Sequence, residues 1–85
     1  MPIYEFTEIE LYTIERVKQI RKALKISQPV LSRGMGFTRS FIGHVETRSK
    51  RAKYNINHLN TIAKILNCSV KDFFPEKALG EKPSD

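Results

Sequence analysis

Between residues 27 and 38 the chain is punctuated too tightly for one long helix. Ser27 is a strong N-cap residue, and Pro29 falls in the first turn that follows, where a missing N–H is tolerated. Gly34 and Gly36 then interrupt the helical run, and Thr38 offers a second N-cap. These signals predict two short helices, over 28–34 and 38–47, joined by a glycine turn.

The apolar phasing tells which way the second of these helices faces. Phe41, Ile42 and Val45 follow helical spacing from Thr38 and mark a buried stripe. Arg39, Ser40, Gly43, His44 and Thr47 fall on the opposite stripe, which is small, polar and basic. Elsewhere, Thr7-x-x-Glu10 has the form of a capping box, and Ile14, Val17, Ile20 and Leu24 keep helical spacing, so a first helix is assigned to 8–25, with a start near Thr7 or near Thr13. Residues 48–56 lack periodicity and read as a basic loop. Asn57 is assigned as the cap of a fourth helix carrying Leu59, Ile62, Ala63 and Leu66, with Asn67 as its end. Ser69-x-x-Asp72 opens a last short helix that Pro75 stops. The chain is expected to be all-α with five helices. Residues 1–12 form an N-terminal arm or an extension of the first helix, 13–75 the domain, and 76–85 a flexible tail.

Charge adds a direction to this fold. The net formal charge is +6, but residues 1–15 hold four acids and no base. The excess lies in residues 16–54, where Glu46 is the one acid among eleven bases. A local basic field of this kind points to a polyanion. The single Cys68 makes no intrachain disulfide, which suits a reducing, cytoplasmic setting. There is no apolar run of membrane-spanning length, no signal-peptide pattern and no phosphate loop. Without a nucleophile–base pair or a metal cluster, no enzyme activity, cofactor or metal is expected; His44, His58 and Cys68 lack zinc-site spacing.

Two short helices around a glycine turn, the second with an exposed polar face, fit a helix-turn-helix. The chain also resembles, over residues 17–74, the Cro/C1-type helix-turn-helix family of small bacterial and phage repressors. The residues carrying the resemblance are Ser27-Gln28, Leu31-Ser32, Gly36, Thr38, Ile42, Val45-Glu46, the Leu59-x-x-Ile62-Ala63-x-x-Leu66 run and Cys68 to Phe74. It departs from the family at Pro29, Val30, Ser32, Gly34 and Gly43. The resemblance implies a lambda-repressor-like DNA-binding domain with its helix-turn-helix at the second and third helices.

On double-stranded DNA the third helix is expected in the major groove. Arg39 is the first candidate for base readout, because a guanidinium matches guanine O6 and N7. Ser40, Gly43 and His44 share its stripe as further base-contact candidates. Thr38, Thr47, Arg48, Lys50, Arg51, Lys53 and Tyr54 are assigned to phosphates flanking the helix. The resemblance adds Gln28 as a phosphate contact that braces the recognition helix, and a buried ion pair between Arg21 and Glu46. It also implies a homodimer on an inverted repeat and a transcriptional regulator, expected to repress. A protein-interaction module, antitoxin-like or coactivator-like, is the alternative on the same fold; the acidic, aromatic N-terminal arm would carry that partner.

Overall fold

The structure, a computed structural model, describes residues 5–47 and 50–80. Four α-helices and one 3₁₀ helix make up its regular structure: α1 (Glu8–Ala23), α2 (Gln28–Gly34), α3 (Phe41–Glu46), α4 (Ile56–Leu66) and the 3₁₀ helix Val70–Phe73. There is no strand among the described residues. Residues 8–12 belong to α1, so this part of the proposed arm extends the helix. Residues 1–4 and 81–85, the ends of the proposed arm and tail, lie outside the described residues.

Local chemistry fixes where each helix stops and starts. Thr7 and Glu10 form a reciprocal capping box: the Thr7 hydroxyl accepts from Glu10 N–H at 3.3 Å, and Glu10 Oε1 accepts from Thr7 N–H at 2.8 Å. At its other end α1 closes two residues before the expected position 25. Lys25 adopts φ 60°, its N–H donates to Lys22 C=O, and Ile26 N–H donates to Arg21 C=O. This pair of bonds is a Schellman closure, here with lysine where glycine is more common. α2 ends in the same way on Gly36, at φ +83°, with Phe37 N–H donating to Ser32 C=O. Only glycine takes that conformation without strain.

Two starts differ from the sequence-based assignment. α4 begins at Ile56, capped by Asn55 in place of Asn57: Asn55 Oδ1 accepts from His58 N–H at 2.8 Å, and His58 Nδ1 accepts from Asn55 N–H at 3.0 Å. A histidine here plays the part usually taken by Glu or Gln. α3 begins at Phe41, not at Thr38. The Thr38 carbonyl accepts from Phe41 N–H at 3.1 Å in a turn, and the first α-helical bond runs from His44 N–H to Ser40 C=O.

One core joins all five elements. Val17, Leu31, Ile42, Ile62 and Phe73 are fully buried, with Leu59, Ala63 and Leu66 beside them. Burying each large apolar side chain is worth about 1.5–3 kcal/mol. The 3₁₀ helix packs on both α1 and α4, and α3 lies against α2 and α1. α3 is therefore held on its inner face, with its outer face turned to solvent.

Candidate nucleic-acid interface

Six residues form a poor helix on their own, because nucleation is costly and few internal bonds follow. α3 is held by neighbours. Ser40 occupies its N-cap position but makes no side-chain cap bond. The cap comes from α2: the Ser32 hydroxyl, fully buried, accepts from Ile42 N–H at 3.0 Å and donates to Gln28 C=O at 2.9 Å. One hydroxyl thus fixes the start of α3 to the body of α2.

The other end of α3 is held by an ion pair. Arg21 of α1 donates to Glu46 through Nε at 3.1 Å and Nη2 at 2.9 Å, and both side chains are nearly sealed from water, 8% and 4% exposed. The remaining guanidinium nitrogen, Nη1, donates to Ile26 C=O at 2.9 Å. Glu46 Oε1 also accepts from Gln28 Nε2 at 2.8 Å. Arg21, Glu46 and Gln28 therefore tie α1, α3 and α2 into one polar network, with charged hydrogen bonds that suit a dry site.

That network gives Gly43 a role different from the expected one. A methyl group at position 43 would stand 3.1 Å from Gln28 Oε1. Gly43 is half-buried, and its missing side chain makes room for the Gln28 amide. Gln28 itself lies over α3 with its carbonyl end towards Gly43.

Thr38, Arg39, Ser40, His44 and Thr47 are all exposed. Arg39 and Ser40 stand in the turn that leads into α3, and His44 is one helical turn beyond Ser40 on the same side. The Thr47 hydroxyl donates to Gly43 C=O at 2.7 Å. Lys50 and Arg51 are exposed beyond the end of α3. Arg48 lies outside the described residues.

Two members of the expected phosphate clamp are placed elsewhere. Lys53 Nζ donates to Glu10 Oε1 at 3.0 Å and sits 5.0 Å from the centre of the Phe6 ring. The hydrogen bond from Thr7 N–H, reinforced by Lys53, holds Glu10 below its ordinary value. Lys53 thus pins the basic loop to the acidic start of α1. The Tyr54 hydroxyl is buried without a protein hydrogen-bond partner. Burial pushes its phenol up, and the Glu46 carboxylate adds to the effect while Arg21 opposes it. An inward hydroxyl offers nothing to a phosphate. The Tyr54 ring instead joins a cluster with Phe41, which also meets Phe37 and His58 edge-on at 4.8 and 4.9 Å.

Sequence reasoning missed Ser32 as the cap of α3. Its signal was available as the polar residue at a position phased with the apolar Leu31 side of α2. Such a residue, when buried, needs a hydrogen-bond partner.

Comparison with known proteins bears on this arrangement. The profile of the Cro/C1-type HTH DNA-binding domain matches residues 16–75. No curated protein sequence matches the chain. Among solved structures, the restriction-modification controller protein C.AhdI from Aeromonas hydrophila superposes with a TM-score of 0.66 at 25% identity, over 81% of this chain and 100% of that one. A hypothetical transcription factor, NHTF, from Neisseria gives 0.69 at 15% identity, over 88% and 84% of the two chains. Hydroxypropylphosphonic acid epoxidase from S. wedmorenis gives 0.65 at 21% identity, with 78% of this chain covering 34% of the enzyme. The last two likenesses are of fold.

Proposed function

Since this chain belongs to the Cro/C1-type helix-turn-helix DNA-binding family, we propose that it is a sequence-specific regulator of transcription that reads the major groove with α3. The observation that carries this reading is the exposed row of Arg39 and Ser40 in the turn that opens α3 and His44 on α3, a helix whose other sides are locked by Ser32 and Glu46. A rigidly held helix presents base-reading groups in one geometry, which is what discrimination between base pairs requires. Arg39 is assigned to a guanine edge, and Ser40 and His44 to neighbouring bases. Arg48, Lys50 and Arg51 take the phosphates beyond α3, and Thr38 takes one at its start. The second amide hydrogen of Gln28 suits a phosphate while the first stays on Glu46.

A single short helix covers few base pairs. We assign a homodimer on an inverted repeat, with half-sites about 34 Å apart, the usual solution for this motif. Repression follows most simply, because a bound module excludes other proteins from its site. The C.AhdI likeness supports a controller role of this general kind.

The test is fluorescence anisotropy with random and selected duplexes at two salt concentrations. Arg39 and the three clamp cations give a slope of log K against log [salt] of about −3 to −4 per module. Arg39→Ala should cost about 1–3 kcal/mol on the selected site and relax its sequence preference. Arg51→Ala should weaken all duplexes alike. No binding at low salt refutes the proposal, and recovery of a single unrepeated half-site refutes the dimer.

A further inference from the structure

Three of the described helices close on a residue in the left-handed conformation: Lys25 after α1 (φ 60°), Gly36 after α2 (φ 83°) and Asn67 after α4 (φ 55°). Glycine and asparagine enter that region readily, whereas a longer side chain crowds the carbonyl that follows it. Lys25 is the exception, and its own contacts do not account for it. Its side chain is exposed, and no acid among the described residues pairs with it. A cation at a helix C-terminus suits the macrodipole, but Arg21 and Lys22 already stand in the last turn of α1. A residue held in a disfavoured conformation without a structural gain points to a function.

The corner that carries Lys25 is fixed against α3. The next residue, Ile26, accepts through its carbonyl from Arg21 Nη1 at 2.9 Å, and the same guanidinium holds Glu46, the last residue of α3, through Nη2 at 2.9 Å. Three residues beyond Lys25, Gln28 donates to Glu46 Oε1 at 2.8 Å and rests its carbonyl end beside Gly43. Lys25 therefore stands at the α1–α2 corner, next to the C-terminal half of α3. Arg21 is buried in that corner with its charge turned to Glu46, so the outward charge there is that of Lys25.

We propose that Lys25 is a further DNA-binding residue, a phosphate contact that holds the duplex at the α1–α2 corner while Arg48, Lys50 and Arg51 hold it beyond α3. This rests on the DNA-binding reading above and adds a second anchored segment to it. A lysine ammonium is a compact point charge on a flexible stem, which suits a phosphate oxygen. Such a contact sets the orientation of α3 on the duplex and carries no sequence information.

The experiment measures Tm by circular dichroism and duplex binding by anisotropy on the full chain, for Lys25→Gly, Lys25→Arg and Lys71→Ala. Lys71 lies exposed on the 3₁₀ helix, which packs on α1 and α4, so Lys71→Ala removes the same charge away from α3. Lys25→Gly should raise Tm, by up to about 8 °C, because glycine fits the left-handed closure. It should also weaken random and selected duplexes alike, by about three- to tenfold per module at about 0.1 M salt, and make the salt slope shallower by about 0.9. Lys25→Arg keeps the charge and should recover most of that loss, and Lys71→Ala should change binding by less than about twofold. A variant that melts higher yet binds less well separates a DNA contact from a structural role, which would move both readouts the same way. Lys25→Gly binding within about twofold of the native chain, an equal loss in Lys25→Arg or Lys71→Ala, or a lower Tm for Lys25→Gly each overturn the proposal and leave the DNA-binding reading standing. A native chain that binds no duplex at low salt overturns both.

Discussion

Replacing Glu46 by Gln keeps the shape of the side chain and removes its charge. In the native structure Glu46 accepts three hydrogen bonds, two from Arg21 and one from Gln28, at 2.8–3.1 Å. A Gln amide at that place keeps one acceptor oxygen. Its NH₂ then faces a donor, either the guanidinium or the Gln28 amide, so at least one buried donor loses its partner. Arg21 would be left buried, with Ile26 C=O as its remaining firm acceptor. Breaking a buried pair from one side costs about 3–5 kcal/mol, because the surviving charge stays desolvated. A domain of this size is stable by about 5–15 kcal/mol in total. At about 4–8 °C per kcal/mol, Glu46→Gln should lower Tm by at least about 12 °C. Circular dichroism at 222 nm across a thermal ramp reads this directly. Changing both partners to apolar residues, Arg21→Met with Glu46→Leu, should recover much of the loss, since no charge is then stranded. A Glu46→Gln protein melting within about 3 °C of the native one refutes the network, as does a double variant less stable than both single ones.

The other expectations concern the start of α3, its close contact with α2, and pH. Ser32→Ala removes the acceptor of the Ile42 N–H in a fully buried place, and should cost about 1–3 kcal/mol in urea-induced unfolding; a loss below about 0.5 kcal/mol would mean that α3 does not depend on this cap. Gly43→Ala brings a methyl to 3.1 Å from Gln28 Oε1 and should destabilise the native chain, whereas in a Gln28→Ala background the same change should gain up to about 1 kcal/mol of helix propensity; equal effects in both backgrounds would break the link. Burial holds His58 below its ordinary value of 6.5, and its Nδ1 must stay unprotonated to accept from Asn55 N–H. With the folded value below the unfolded one, this contribution is complete above about pH 6.5 and is lost as pH falls through the folded value. Stability measured from pH 7 downward should therefore decline more steeply in the native chain than in His58→Gln; parallel curves would remove His58 from the account.

Signals that act within a few residues were legible in the sequence. Ser27, Pro29 and Gly36 bound α2, Thr7 and Glu10 open α1, and Ser69 and Asp72 open the 3₁₀ helix. The apolar phasing of Ile42 and Val45 gave the inner face of α3. Signals that act between distant segments were not legible. Thr38 has the right side chain for an N-cap, but Ser32, from another helix, supplies the bond that counts. Gly43 reads as a gap on the outer stripe, and only the packed structure shows Gln28 beside it. The loop has no periodicity to say which residues turn inward, so in the sequence Lys53 and Tyr54 look no different from Lys50 and Arg51. Glu10 draws one of them away and the Arg21–Glu46 surroundings bury the hydroxyl of the other.

The loan of the Ser32 hydroxyl to α3 bears on how the domain opens. A six-residue helix whose first capped amide is bonded to another helix has no independent folded state. Its local unfolding has to break the α2–α3 junction, and with it the seat of the fully buried Ile42. α3 should therefore open with the cooperative core and not with the fraying periphery. In hydrogen exchange, the Ile42 amide should be protected at close to the global unfolding free energy, alongside the centre of α4. α3 is then ordered in the folded chain before any ligand is present, by the same contacts that close the core.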